Sequence, residues 1–115
     1  MSITRIESGK RMSEAVIFNG VVYLAGQVPQ DASLDIGGQT RQVLAAIDAL
    51  LEQAGTDKSK LLTAQIFLAD MADFGGMNAE WDAWVSPGNT PTRATVEAKL
   101  ANPKLKVEIV VTAAA

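Results

Sequence analysis

The dipeptide Asn19-Gly20 lies between Ala15-Val16-Ile17-Phe18 and Val21-Val22-Tyr23-Leu24-Ala25, and it constrains this chain more than any other feature. A two-residue hairpin turn needs positive φ at both central positions, which Asn followed by Gly tolerates at little steric cost. With apolar runs on either side, the pair predicts a β-hairpin. Antiparallel sheet near the N-terminus is therefore required, and later elements must cover at least one of its faces. Thr4 to Glu7 predicts a short strand before the hairpin, and Lys10-Arg11-Met12-Ser13-Glu14 a polar loop. The hairpin runs into Gly26-Gln27-Val28-Pro29. Gly26 fits either a close approach by a ligand or strand, or a simple bulge or bend.

The covering elements are legible further on. After a loop over Gln30 to Gly38, a helix is expected from about Ile36 to Ala54, with Asp35 as N-cap and Gly55 as its stop. Val43, Ile47, Leu50, Leu51 and Ala54 recur at the spacing of one buried face, while Arg41, Asp48 and Glu52 fall away from it. Thr56 to Lys60 is a solvated connection. Leu61 to Leu68 predicts a mostly buried strand. Asp70 is a candidate cap for a second helix from about Ala72 to Val85, striped by Met77, Trp81, Trp84 and Val85. Core packing explains the two tryptophans better than a ring-stacking site does. Asn78, one step from that stripe, faces either a cleft or water. Asn102-Pro103 predicts a turn before a last strand, Lys106 to Ala114. Strands, helix, strand, helix and strands make an α+β layer arrangement: a mixed sheet with two helices on one face, in one domain over residues 1–115. The uncovered face still carries apolar residues, so self-association is expected to bury it.

Composition removes several chemistries. The 115 residues include no Cys and no His. Thiolate nucleophiles, Ser-His-Asp catalysis and imidazole or thiolate metal sites are therefore excluded. No carboxylate cluster has the spacing of a calcium loop, so no metal is expected. Acid–base work falls to Asp, Glu, Lys, Tyr or water. The net charge of −3 disfavours nucleic acid as a partner. Residues 1–12 are polar and no apolar run approaches a membrane span, so the expectation is a cytoplasmic protein without a membrane partner.

The chemistry concentrates in Thr90-Pro91-Thr92-Arg93-Ala94-Thr95-Val96-Glu97. Pro91 biases Thr90 toward extended backbone, and the residues after it favour a strand. Arg93, Thr95 and Glu97 then share one face, with Ala94, Val96 and Ala98 on the other. Arg93 carries a permanent charge on a planar fork of donors that fits a carboxylate. It is either an anion receptor or a solvated strand residue paired with Glu97 or another carboxylate. In the last strand Lys106, Glu108, Val110 and Thr112 share a face. If the two strands are adjacent and antiparallel, Glu108 lies near the Arg93 face.

Taken together, Gly26-Gln27-Val28-Pro29, Asn78 with Trp81, Pro91 to Glu97 and Lys106-Val107-Glu108-Ile109 resemble the RidA (YjgF) family of reactive-imine deaminases, within it the YoaB-like branch. The resemblance covers nearly the whole chain. It implies a chorismate-mutase-like α+β fold and a homotrimer whose inner sheets form a barrel with ligand clefts between subunits. It also implies cofactor-free hydrolysis of 2-imino or enamine acids, released by pyridoxal-phosphate enzymes, to 2-oxo acids and ammonia. By resemblance Arg93 holds the substrate carboxylate, Gly26 and Thr95 offer backbone N–H groups, Asn78 lies at the substrate, and Glu108 places or activates water. On residue type alone Glu108 is equally a structural partner for Arg93 or Lys106.

Two positions depart from the family pattern. Ala25 stands where relatives often carry Ser or Thr. Arg11-Met12-Ser13 offers no match to a site Tyr, and Tyr23 is out of register for that role. These losses leave a second reading open: a non-catalytic trimeric binding protein for small carboxylate metabolites. A ribonuclease role is the third and weakest, given the acidic balance and the absence of His.

Overall fold

The computed structural model describes residues 2–115. The hairpin forms as expected: Asn19 and Gly20 adopt φ of 54° and 80°, and Phe18 faces Val21 across the turn. Its strands are β2 (Ser13–Phe18) and β3 (Val21–Leu24), and β1 (Thr4–Ser8) pairs with β2 antiparallel. β2 starts two residues earlier than the polar sequence suggested. Ser13 pairs with Ser8, and their hydroxyls meet at 2.8 Å, so side-chain bonding extends the ladder into the loop.

Helix α1 (Ile36–Gln53) begins where Asp35 accepts the Gly38 N–H at 2.8 Å. It buries Val43, Ile47, Leu50 and Leu51, as their spacing requires. Strand β4 (Leu61–Leu68) follows a short 3-10 turn. Asp70 does not cap the second helix directly. It accepts the Ala72 N–H and caps a 3-10 turn over Met71–Asp73, and helix α2 (Phe74–Trp84) continues from there. Met77 and Trp81 are buried beneath it, with Trp84 and Val85 packed at the margin. Among the described residues, no helix is long and apolar enough to cross a membrane.

Strands β5 (Thr92–Glu97) and β6 (Val107–Ala114) are not neighbours, and here the sequence reading needs correcting. The six-stranded order is β1-β2-β3-β6-β4-β5. β4 lies between β6, which it meets antiparallel, and β5, which it meets parallel. The reason is α2. A helical crossover returns the chain to the same end of the sheet, so the strand after it runs parallel to the strand before it. β5 is thereby left at the edge.

The register fixes what each face carries. Ala64, Ile66 and Leu68 of β4 face the helices and are buried, so their lateral partners Arg93, Thr95 and Glu97 also face the helices. Phe67 pairs with Glu108 and Gln65 with Val110, which puts Glu108, Val110 and Thr112 on the open face. Tyr23, Val96, Phe67 and Val110 make that open face apolar, with Tyr23 49 % and Val96 41 % exposed.

Candidate functional site

Five residues were expected to form one site: Gly26, Asn78, Arg93, Thr95 and Glu108. The structure divides them into two groups on opposite faces of the sheet. The expectation that Glu108 lies beside Arg93 within one chain is therefore incorrect. The side-chain period of two sets the face, and the intervening strand β4 carries the register from one group to the other.

The first group lies between the β5 edge and α2. The Arg93 guanidinium carbon sits 5.4 Å from the centre of the Trp81 ring and 5.9 Å from that of Phe74. Glu97, on the same strand face, does not pair with it. One Glu97 oxygen instead accepts the Met71 N–H at 2.9 Å. Among the described residues the only salt bridge joins Arg41 to Glu80. Among the described residues the guanidinium thus has no carboxylate partner, and the pairing with Glu97 raised by the sequence is not formed. Asn78 lies one helical turn from both Phe74 and Trp81, on the same stripe of α2. Its Oδ1 and the Thr95 Oγ1 are buried without a hydrogen-bond partner. Buried polar atoms normally find one, so two orphans on elements flanking a free cation mark a place built for something else.

The second group is on the open face. The half-buried Glu108 side chain folds over Gly26 so closely that a Cβ at residue 26 would overlap the carboxylate, with Cδ 3.0 Å away. Gly26 thus leaves room for the Glu108 side chain, an approach by a side chain of the chain itself rather than by a ligand. The contact is fixed on both sides. Gln27 exchanges two backbone hydrogen bonds with Ile109, at 2.9 and 3.1 Å. Its buried side-chain amide donates to Glu14 at 3.1 Å and to the Ala25 carbonyl at 3.0 Å. Glu108 pairs with neither Arg93 nor Lys106.

Three contributors escaped the sequence reading. Phe74 was left off the apolar stripe of α2. Its signal was its distance of seven residues, two helical turns, from Trp81. Gln27 was read only as part of a motif. Gln39, fully buried in α1, falls inside the expected helix but is given no role by the sequence reading. Its Nε2 lies 3.1 Å from each of the carbonyls of Ala32, Leu34 and Lys104, which share its two N–H groups, and its Oε1 accepts the Lys106 N–H at 2.8 Å. It therefore anchors the entry to β6, two residues before Glu108. Its signal was a polar residue four positions before Val43, on the buried face.

Chemically, the first group can take an anion with directional, charge-assisted bonds. The second offers a carboxylate with unused acceptor capacity on a defined backbone. Neither alone contains both a substrate anchor and a proton acceptor.

Comparison with known proteins agrees with this architecture. The family model described as Endoribonuclease L-PSP matches residues 2–115. A RutC family protein of Haemophilus ducreyi is 56 % identical over 112 residues, covering 97 % of this chain and 96 % of that protein. The RutC family protein YoaB of Escherichia coli K12 is 51 % identical over 114 residues, covering 99 % of each. Among solved structures, a YjgF family member from Neisseria meningitidis superposes with a TM-score of 0.96 at 47 % identity, covering 99 % of this chain and 95 % of that one. Fold, family match and high-identity relatives agree, and the chain belongs to the RidA (YjgF) family.

Proposed function

We propose that this protein hydrolyses small 2-imino or enamine acids to 2-oxo acids and ammonium, in clefts between the subunits of a homotrimer. One subunit supplies Arg93, Thr95 and Asn78, and its neighbour supplies Glu108 and Gly26. The observation that carries this reading is the Arg93 guanidinium set against the Trp81 ring at the sheet edge, with the buried, unpartnered Thr95 Oγ1 on the same face of its strand. The apolar open face supports self-association, because a patch of that kind on a sheet is normally covered. Family membership supports the class of activity.

The chemistry needs few parts. Arg93 takes the substrate carboxylate and fixes the imine carbon. A water held by Glu108 adds its oxygen to that carbon, and one of its protons passes to the Glu108 carboxylate. The proton then moves to nitrogen, the C–N bond breaks with release of ammonia, and the remaining hydroxyl collapses to the ketone as its proton leaves. Iminium and water thus become a 2-oxo acid and ammonium. Fixing the water against a bound, already electrophilic carbon is where the rate is gained.

The test is to generate 2-iminopropanoate in situ with an amino-acid oxidase and follow its loss. The protein is expected to accelerate that loss, and Arg93→Ala to abolish the acceleration. Absence of acceleration with any imino acid tried would remove the reading. A second reading rests on Ala25, where a hydroxyl is missing from the backbone beside Gly26. It is an Arg93-dependent receptor for small carboxylates that binds without turnover. Calorimetry with 2-oxo acids, run beside the turnover assay, separates the two. The RNA-cleaving activity in the family's description has less support here, since the net charge is −3 and no histidine is present for proton transfer.

A further inference from the structure

We infer that Phe74 and Trp81 are positioning residues that hold the Arg93 guanidinium in an aromatic clamp with its N–H fork free for substrate. The inference rests on the reading of Arg93 as a carboxylate receptor.

A carboxylate is the usual partner that orients an arginine side chain, through paired charge-assisted hydrogen bonds. Here a carboxylate would defeat the purpose, because it would occupy the donors that the substrate needs. Aromatic rings offer another route. The face of an aromatic ring is electrically negative and attracts a cation without accepting its hydrogen bonds. The two rings lie 5.4 Å and 5.9 Å from the guanidinium carbon, both within the range of that attraction. Trp81 is 5 % exposed and anchored in the core, so it fixes the inner position. Phe74 is 39 % exposed and forms the outer contact. Glu97, on the same strand face, is drawn to the Met71 N–H. Two turns of α2 thus limit the orientations of one side chain of β5. An Arg restricted in this way loses less conformational freedom when a carboxylate docks.

Trp81 is a core residue, and its removal risks the fold. Phe74 is therefore the residue to change. Calorimetry with pyruvate on wild type, Phe74→Leu, Phe74→Tyr and Arg93→Ala gives the decisive comparison, with circular dichroism confirming that each is folded. Phe74→Leu is expected to weaken pyruvate binding roughly two- to five-fold, the range set by one cation–ring contact. Phe74→Tyr, which keeps a ring face, is expected to stay within about two-fold of wild type. In the imine assay the Phe74→Leu loss should appear in KM rather than kcat, a split that a general loosening of the fold does not produce. If Arg93→Ala abolishes binding while Phe74→Leu leaves it unchanged, or if Phe74→Tyr is as weak as Phe74→Leu, the clamp is overturned and the receptor stands. If Arg93→Ala binds pyruvate like wild type, the receptor reading fails and the clamp with it.

Discussion

The helix face at β5 and the open face at β6 solve opposite problems on strands that β4 separates. At β5 a cation is kept free of anions: two rings flank Arg93, and Glu97 is tied to the backbone. At β6 a carboxylate is kept free of cations: Glu108 lies over Gly26, and neither Lys106 nor Arg93 reaches it. Among the described residues only Arg41 and Glu80 form an ion pair, so what sets Arg93 and Glu108 apart is not the lack of one but their surroundings, aromatic rings at the first and the close approach of Gly26 at the second. The difference between them is mechanical. Aromatic side chains hold the arginine half, whereas the glutamate half is held by the Gln27–Ile109 backbone bridge and by the Gln39 side chain bonded to the backbone of Lys104 and Lys106.

The sharpest way to break this comparison is subunit mixing. Arg93→Ala and Glu108→Ala are each expected to be inactive toward 2-iminopropanoate. If the two halves come from different subunits, unfolding and refolding the variants together should regenerate activity. Random assembly leaves about a quarter of the clefts with both groups intact. Halves that work within one chain would leave the mixture as inactive as its components, and activity retained in either single variant would show that the two do not act together.

A smaller effect separates the two halves chemically. Gly26→Ala places a methyl group where the Glu108 carboxylate lies, and Gln27 on one side leaves the backbone little freedom to yield. The carboxylate must move by about an ångström, a displacement that can cost on the order of a hundred-fold in rate. Turnover should fall by roughly that factor while pyruvate affinity, set at the other face, changes by less than about three-fold. An equal loss in both would mean that Gly26 contributes mainly to carboxylate binding.

The sequence revealed the two halves unequally, for physical reasons. Period and turn chemistry are local, so the hairpin, α1, β4 and the face alternation of β5 were readable from Asn19-Gly20, Asp35, Val43, Ile47 and Arg93. Which strands lie side by side is not local. The neighbours of β5 and β6 depend on how α2 returns the chain, and without that information Glu108 was placed on the wrong face relative to Arg93. The cap at Asp70 slipped for a related reason. A single tight turn was enough to satisfy its carboxylate before the helix proper began. Gln39 was hidden because buried amides are judged by their partners, and those partners came from residues 32, 34, 104 and 106.

The smallest expected effect sharpens the contrast most economically, because it compares two arginines on one molecule. Arg41 pairs with Glu80 at 3.0 Å across the α1–α2 seam, with its side chain 63 % exposed. A surface pair of this kind contributes about 0.2–1 kcal/mol, so Arg41→Ala should lower stability in urea unfolding by no more than that. Arg93→Ala removes a ring-stacked but exposed cation and should cost a similar ~0.5–1 kcal/mol. Stability alone therefore does not distinguish the paired arginine from the unpaired one. Ligand binding does: pyruvate affinity should be unchanged in Arg41→Ala and lost in Arg93→Ala. Were both substitutions to weaken binding alike, the effect of Arg93 would be one of net charge, and the orientation of its donors at the β5 edge would no longer explain it.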